Sequence, residues 1–293
     1  MLELRSVSRS FNGTKVLKEV SFDVAPGRIT GFVGANGSGK TTTMRIILGV
    51  LAAHGGTVRW RGQPITHPVR QRFGYMPEER GLYPKMKVAE QIVYLARLHG
   101  LSHTDAKRNT AALLDRLELS ARAQDPVEKL SLGNQQRVQI CAALVHDPEL
   151  LILDEPFSGL DPLAVETVLG VLREYAARGV PVLFSSHQLE LVERLCDDLV
   201  IISAGTIAAS GNREELRAKH ATPRFELVVD GDAGWVRDQP GVTVVELDGA
   251  RVVFDVATDA AAQPVLREAV NRGFVHSFGK VMPSLAEIFR EVV

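Results

Sequence analysis

An α/β layered fold with a smaller α+β domain behind it is the architecture this sequence predicts, and three observations carry the prediction. Short, largely apolar runs at residues 29–33, 150–153, 180–185 and 199–203 have the composition of strands buried on both faces of a parallel sheet. Between them lie stretches whose apolar residues recur at helical spacing, such as Val88, Ile92 and Leu95. Beyond Gly211 the alternation gives way to strands set close together, so a second domain is expected there.

In chain order, residues 2–7 and 17–24 read as strands on either side of a turn at Asn12-Gly13, with Phe11 just ahead of the turn. This is the expected antiparallel β region. A buried strand at 29–33 leads through a glycine-rich run into a helix at 41–51, whose apolar residues are Met44, Ile46, Ile47 and Leu48. Another strand is expected at 55–61, then helices at 87–99, 104–119 and 135–145, making residues 85–148 a helical subdomain. The alternation resumes with strands at 150–153, 180–185 and 199–203 and helices at 163–178 and 189–196. Ala221-Thr222-Pro223 looks like a seam, giving domains at 1–217 and 222–293. In the second, strands at 225–229, 242–247, 252–256 and 275–278, a turn of helix near Trp235, a helix at 260–272 and a last helix from Ser284 spell a ferredoxin-like β-α-β-β-α-β order. No catalytic constellation is visible there, so a docking or regulatory module is expected.

Composition excludes several classes. The 293 residues are 45% hydrophobic and 24% charged, which is ordinary for a globular chain able to bury a sizeable core. No apolar stretch approaches the roughly 20 residues of a membrane-crossing helix. The opening segment carries Glu3, Arg5 and Arg9 where a signal peptide would be apolar, so export is not expected. A formal net charge of −1 without a long basic run argues against nucleic acid as a partner. Cys141 and Cys196 both sit in apolar helical settings and read as buried thiols.

The chemistry begins at Gly34-Ala35-Asn36-Gly37-Ser38-Gly39-Lys40-Thr41-Thr42. Its glycines let successive amides point inward at an anion held on the positive end of the following helix. In this pattern Lys40 reaches the β- and γ-phosphates and Thr41 holds Mg²⁺. Asp154 and Glu155 follow a buried strand, where desolvating two carboxylates needs a cation or a function. Asp154 suits metal support. Glu155, expected to point the opposite way along an extended chain, suits polarising the attacking water. A second anion site is suggested at Leu130-Ser131-Leu132-Gly133-Asn134-Gln135-Gln136-Arg137, where Ser131 and Gly133 open another helix.

At these residues the chain resembles the ATP-binding subunits of ABC transporters, a P-loop NTPase family whose signature is Leu-Ser-Gly-Gly-Gln followed by Gln-Gln-Arg. The resemblance covers residues 2–217 and takes in, in the family's order, Phe11, the phosphate loop, Tyr75-Met76-Pro77-Glu78, the signature segment, Asp154-Glu155, Ser158-Gly159-Leu160-Asp161 and Ser186-His187. It implies ATP and Mg²⁺ as ligands, with Phe11 stacking on adenine, Thr41, Glu78 and Asp154 serving the metal, and Glu155 as the catalytic base. His187 would contact the γ-phosphate, and Asp161 would connect two active sites across a dimer. Each ATP would be clamped between the phosphate loop of one copy and Ser131 and Gly133 of another, in a homodimer or a heterodimer with a like ATPase. An integral-membrane permease would be the further partner, placing the chain at the cytoplasmic face of the membrane. Three departures stand out: Glu78 replaces the usual Gln, and Leu132 and Asn134 replace a Gly and the Gln of the signature. The stretch Glu78-Glu79-Arg80-Gly81-Leu82-Tyr83-Pro84 and the trailing domain resemble the sodium- and drug-extrusion subgroup, in which residues 79–99 receive a helix of the membrane subunit, with Leu82, Tyr83 and Met86 as candidate contacts. The alternative is a soluble ATPase of the same family acting on ribosomes or DNA.

Overall fold

The computed structural model describes residues 1–79, 81–219, 223–282 and 284–292, and of the side chains those up to residue 290. Arg80, Ala221 and Thr222, which belong to two of the stretches singled out above, lie outside the described residues. The chain divides into two compact units, Met1–Arg213 and Glu214–Val292.

The first unit opens with β1 (Leu2–Phe11) and β2 (Thr14–Val24), then β3 (Ile29–Val33), α1 (Lys40–Ile47), β4 (Gly55–Trp60), β5 (Gln63–Pro64), α2 (His67–Arg70) and β6 (Phe73–Met76). Three helices follow, α3 (Val88–Leu98), α4 (His103–Arg116) and α5 (Leu132–Leu144), and then β7 (Leu150–Asp154), α6 (Pro162–Ala177), β8 (Val182–Ser186), α7 (Leu189–Leu195), β9 (Asp198–Ser203) and β10 (Thr206–Asn212). An antiparallel sheet of order β2-β1-β4-β5 packs with a six-stranded sheet of order β10-β9-β3-β8-β7-β6. In the larger sheet β9, β3, β8, β7 and β6 run parallel, and β10 pairs antiparallel at the edge. One core joins the layers, with Leu2, Leu4 and Leu17 of the small sheet, Phe32, Ile152 and Leu183 of the large one, and Met44 and Ile47 of α1. Both cysteines are buried thiols.

Several expected bounds move for local reasons. The helix after the phosphate loop stops at Ile47, because Gly49 takes φ +73° and turns the chain. The helix expected at 135–145 starts at Leu132, capped by Ser131. The strands β6 and β10 carry no continuous apolar run and were not expected as strands.

In the second unit α8 (Arg213–Lys219), which begins at the boundary, precedes β11 (Arg224–Val229), β12 (Val242–Asp248), β13 (Arg251–Val256), α9 (Gln263–Arg272), β14 (Val275–Lys280) and α10 (Leu285–Val292), with a 3₁₀ turn at Gly234–Asp238. All pairings are antiparallel and the strand order is β12-β13-β11-β14. One side of this sheet, with Phe225, Leu227, Val252 and Phe254, packs on Val236, Val265 and Ala269. The element order is the ferredoxin-like one, with its first helix reduced to a 3₁₀ turn.

Candidate functional site

The phosphate loop hangs between β3 and α1. Gly39 adopts φ +113° immediately before α1, a backbone state that a side chain would strain. At Gly34 the limit is space, since a Cβ there would lie 2.4 Å from the Ile202 carbonyl and 2.5 Å from Ser38 Oγ. Lys40 turns its Nζ back into the loop, donating to the Gly34 carbonyl at 2.6 Å and to that of Ala35 at 3.3 Å. Burial lowers its pKa, opposed by the negative charges of Glu155, Asp154 and Glu78. The first turn of α1 therefore gathers unpaired amides and a desolvated cation at one place.

Asp154 ends β7, and its Oδ1 accepts from Ser185 Oγ on neighbouring β8 at 2.5 Å. The same Ser185 oxygen accepts from the Glu155 amide at 2.9 Å. Glu155 does not continue the extended chain that simple alternation predicts. Its φ is +52°, so the backbone turns and sends the carboxylate toward His187, whose Nδ1 lies 3.0 Å from Oε1. Burial raises the Glu155 pKa, while the hydrogen bond and charge of His187, and then Lys40, pull it down. A carboxylate so placed is a better proton acceptor than an exposed one.

Phe11, Val16, Asn36, Gly37, Gly39, Lys40, Thr41, Thr42, Glu78, Asp154 and Glu155 line one cleft of about 400 Å³. Gly34 and Ser38 are buried beneath it, Ser38 with a hydroxyl that has no partner among the described residues. Arg9 lies over the Phe11 ring, 4.8 Å from its centre, and the ring is 39% exposed at the end of β1. The donor set fits a hard divalent cation. Asp154 Oδ2 is buried without a hydrogen-bond partner, and the Thr41 hydroxyl and Glu78 carboxylate lie on the same cleft.

Ser131, Gly133 and Asp161 do not line this cleft. Ser131 is exposed and caps α5, accepting from the Asn134 amide at 3.3 Å, and Asp161 caps α6, accepting from that of Ala164 at 2.8 Å. The two caps are neighbours, since a Cβ on Gly133 would come within 3.2 Å of the Gly159 carbonyl. Leu132 is an ordinary helical residue here, 60% exposed. Asn134, in the place of the signature Gln, accepts from Arg137 at 2.5 Å. Of the apolar contacts expected near residue 82, only Tyr83 is exposed, because Leu82 and Met86 are half-buried. Tyr94 and Leu98 of α3 are exposed instead.

Sequence reasoning passed over Ser185, whose hydroxyl fixes both acidic residues. Its signal was present: two serines close an otherwise apolar buried strand. It also passed over Gln136 and Gln139 of α5, both buried, which bond backbone carbonyls next to Glu155 and Glu78.

Residues 17–158 match the family model for ABC transporters, and residues 211–293 match that for the C-terminal domain of DrrA1-3-like ATP-binding proteins. The uncharacterized ABC transporter ATP-binding protein YhaQ of Bacillus subtilis (strain 168) is 38% identical over 293 residues, spanning 100% of this chain and 98% of its own. The Nod factor export ATP-binding protein I of Paraburkholderia xenovorans (strain LB400) is 35% identical over 283 residues, 94% of this chain and 92% of that one. A solved structure of the ATP-binding subunit of an ABC transporter superposes with TM-score 0.69 at 34% identity, covering 75% of this chain and 92% of the other. Among the described residues no helix is long and apolar enough to cross a membrane. With a phosphate loop, paired acidic residues and full-length likeness of this kind, the chain belongs to the ATP-binding, ATP-hydrolysing subunits of ABC transporters.

Proposed function

We propose that two copies of this chain, or one copy and a like ATPase, close around two ATP molecules, and that hydrolysis drives a separate integral-membrane permease that exports a small molecule or ion. Residues 1–217 form the nucleotide-binding domain in this reading and 222–293 an accessory domain. The carrying observation is the division of the site: Lys40, Asp154 and Glu155 share one cleft, while Ser131 and Asp161 cap exposed helix starts outside it. A half-site on each copy accounts for both sets.

Within each half-site Phe11 stacks on adenine, and the loop from Gly34 through Asn36, Gly37, Ser38, Gly39 and Lys40 to Thr42 holds the phosphates. Thr41, Glu78 and Asp154 hold Mg²⁺, which when bound neutralises charge developing on the β- and γ-phosphate oxygens. Glu155 accepts the proton of the attacking water, and His187 orients the Glu155 carboxylate through Nδ1 and faces the γ-phosphate. Ser131 and Gly133 of the second copy complete the anion cradle, and Asp161 lies at the seam. Exposed Tyr83, Tyr94 and Leu98, beside a groove of about 870 Å³ along α3 and α4, are where a cytoplasmic helix of the permease docks. This places the subunit at the inner face of the membrane. The export direction is supported by the likeness to the Nod factor export ATP-binding protein I of Paraburkholderia xenovorans.

The test is Glu155→Gln. Turnover of ATP is expected to fall by about 10²–10⁴-fold, and the variant should elute as a dimer in ATP and as a monomer without it. Full hydrolysis by the variant, or a monomer at saturating ATP, refutes the reading.

A further inference from the structure

We propose that Gln136 and Gln139, one turn apart on α5, are positioning residues that hold the two carboxylate-bearing loops of the ATP site in a fixed relation to each other. The proposal rests on the roles given above to Glu78 and Glu155.

The two side chains are 3% and 4% exposed, and a buried amide is costly unless it is hydrogen-bonded. Their partners are backbone groups of the site. Gln136 Nε2 donates to the carbonyl of Glu155 at 2.9 Å and to that of Pro156 at 3.1 Å. Gln139 Nε2 donates to the carbonyl of Pro77 at 2.7 Å and to that of Glu79 at 3.4 Å, bracketing Glu78. Residues three apart share a helix face, so one face of α5 grips both loops.

The grip on Glu155 matters because its backbone is in the left-handed region, which a residue with a side chain keeps only when its surroundings fix it. Ser185 Oγ accepts from its amide and Gln136 donates to its carbonyl, so both ends of the residue are held. Packing does not account for Gln139. Its Oε1 is buried with no partner among the described residues, a defect that an apolar side chain of equal length would not have. What glutamine supplies at this position is a neutral donor aimed at the carbonyl before Glu78. Since Ser131 caps the same helix five residues ahead of Gln136, a displacement of the signature segment reaches both carboxylates through this rigid element.

The experiment compares Gln136→Met and Gln139→Met, which keep length and volume but lose the donor, with Glu155→Gln in the full-length protein. Each Met variant is expected to lower kcat by about tenfold or more while KM for ATP stays within a small factor. For Gln139→Met, calorimetric titration should show ATP affinity in EDTA unchanged and the gain given by Mg²⁺ reduced. Gln139→Glu is isosteric and donates only when protonated, so its kcat relative to wild type should rise as pH falls from 8 to 6. Wild-type kcat in both Met variants, or a pH-independent ratio for Gln139→Glu, overturns the proposal. Those results are distinguishable from failure of the site assignment itself, which is signalled by full turnover in Glu155→Gln. If a Met variant does not fold, the pH dependence of Gln139→Glu decides alone.

Discussion

The two units of the chain bury different things. Every buried polar or charged side chain among the described residues, from Thr30, Ser38 and Lys40 to Asp154, Glu155, Ser185 and Ser186, belongs to Met1–Arg213. Glu214–Val292 buries apolar side chains only, and its charges sit in partly exposed pairs such as Arg224 with Asp255 and Glu287, or Arg251 with Glu226 and Glu246. Buried polar groups destabilise a fold unless each finds a partner, so their concentration in one unit marks where stability gives way to chemistry. The second unit has the economy of a module whose requirement is to hold its shape.

The largest test of this contrast is in the apolar unit. Phe254 is fully buried and packs against Phe225, so Phe254→Ala should destabilise Glu214–Val292 by about 3–5 kcal/mol. In differential scanning calorimetry with saturating ATP, a low-temperature transition should appear in the variant while the ATP-stabilised transition stays in place. Movement of both together would break the comparison. Next in size is Lys40→Met, which removes the desolvated cation. Charge-assisted hydrogen bonds contribute about 1.5–3 kcal/mol, so ATP affinity by calorimetry should weaken by more than tenfold with the thermal midpoint of the nucleotide-free protein little changed. A large stability loss would mean that the buried lysine serves the fold.

Smaller effects come from protonation. Burial raises the Glu155 pKa and His187 draws it back. Activity that needs the ionised form should therefore be lost, on acidification, above the ordinary carboxylate range, and His187→Ala should move that acid limb to still higher pH in the kcat/KM profile. A limb that stays put separates His187 from Glu155. The smallest effect concerns His146, which stacks on His99 with ring centres 3.7 Å apart and whose pKa is pushed by burial, and then by His99, down to about 4. A base with a depressed folded pKa favours the fold above its unfolded value of 6.5, and this advantage is lost as pH falls from 6.5 toward 4. His146→Phe should thus lose less thermal stability than wild type between pH 7 and 5. Taking the difference between the two proteins cancels the opposite drift from Glu155, whose raised pKa favours the fold as pH falls.

Legibility followed the same division. Lys40, Thr41 and Asp154 could be picked out because phosphate and metal chemistry demands those residue types beside buried strands, Glu78 only through the family resemblance, where it replaces a Gln, and the structure brings all four to one cleft. The turn at Glu155 could not, because alternation along a strand presumes extended backbone and a φ of +52° leaves no composition signal. The strand β6 escaped notice for a similar reason. It has four residues, and Gly74 is there because a Cβ would meet the Ala143 carbonyl at 2.3 Å, a constraint imposed by a helix far along the chain. In the second unit, apolar alternation in β11 announced the sheet directly, since Phe225, Leu227 and Val229 face the core and their neighbours do not.

Ser185 has a final implication. One hydroxyl anchors the carboxylate of Asp154 and the peptide of Glu155 at once. Nothing at that position can retune the acceptor of protons without also disturbing the anchor for the cation. The two halves of the chemistry are yoked, so drift in this strand would tend to silence the enzyme outright, and any gradual adjustment of its speed has to originate elsewhere.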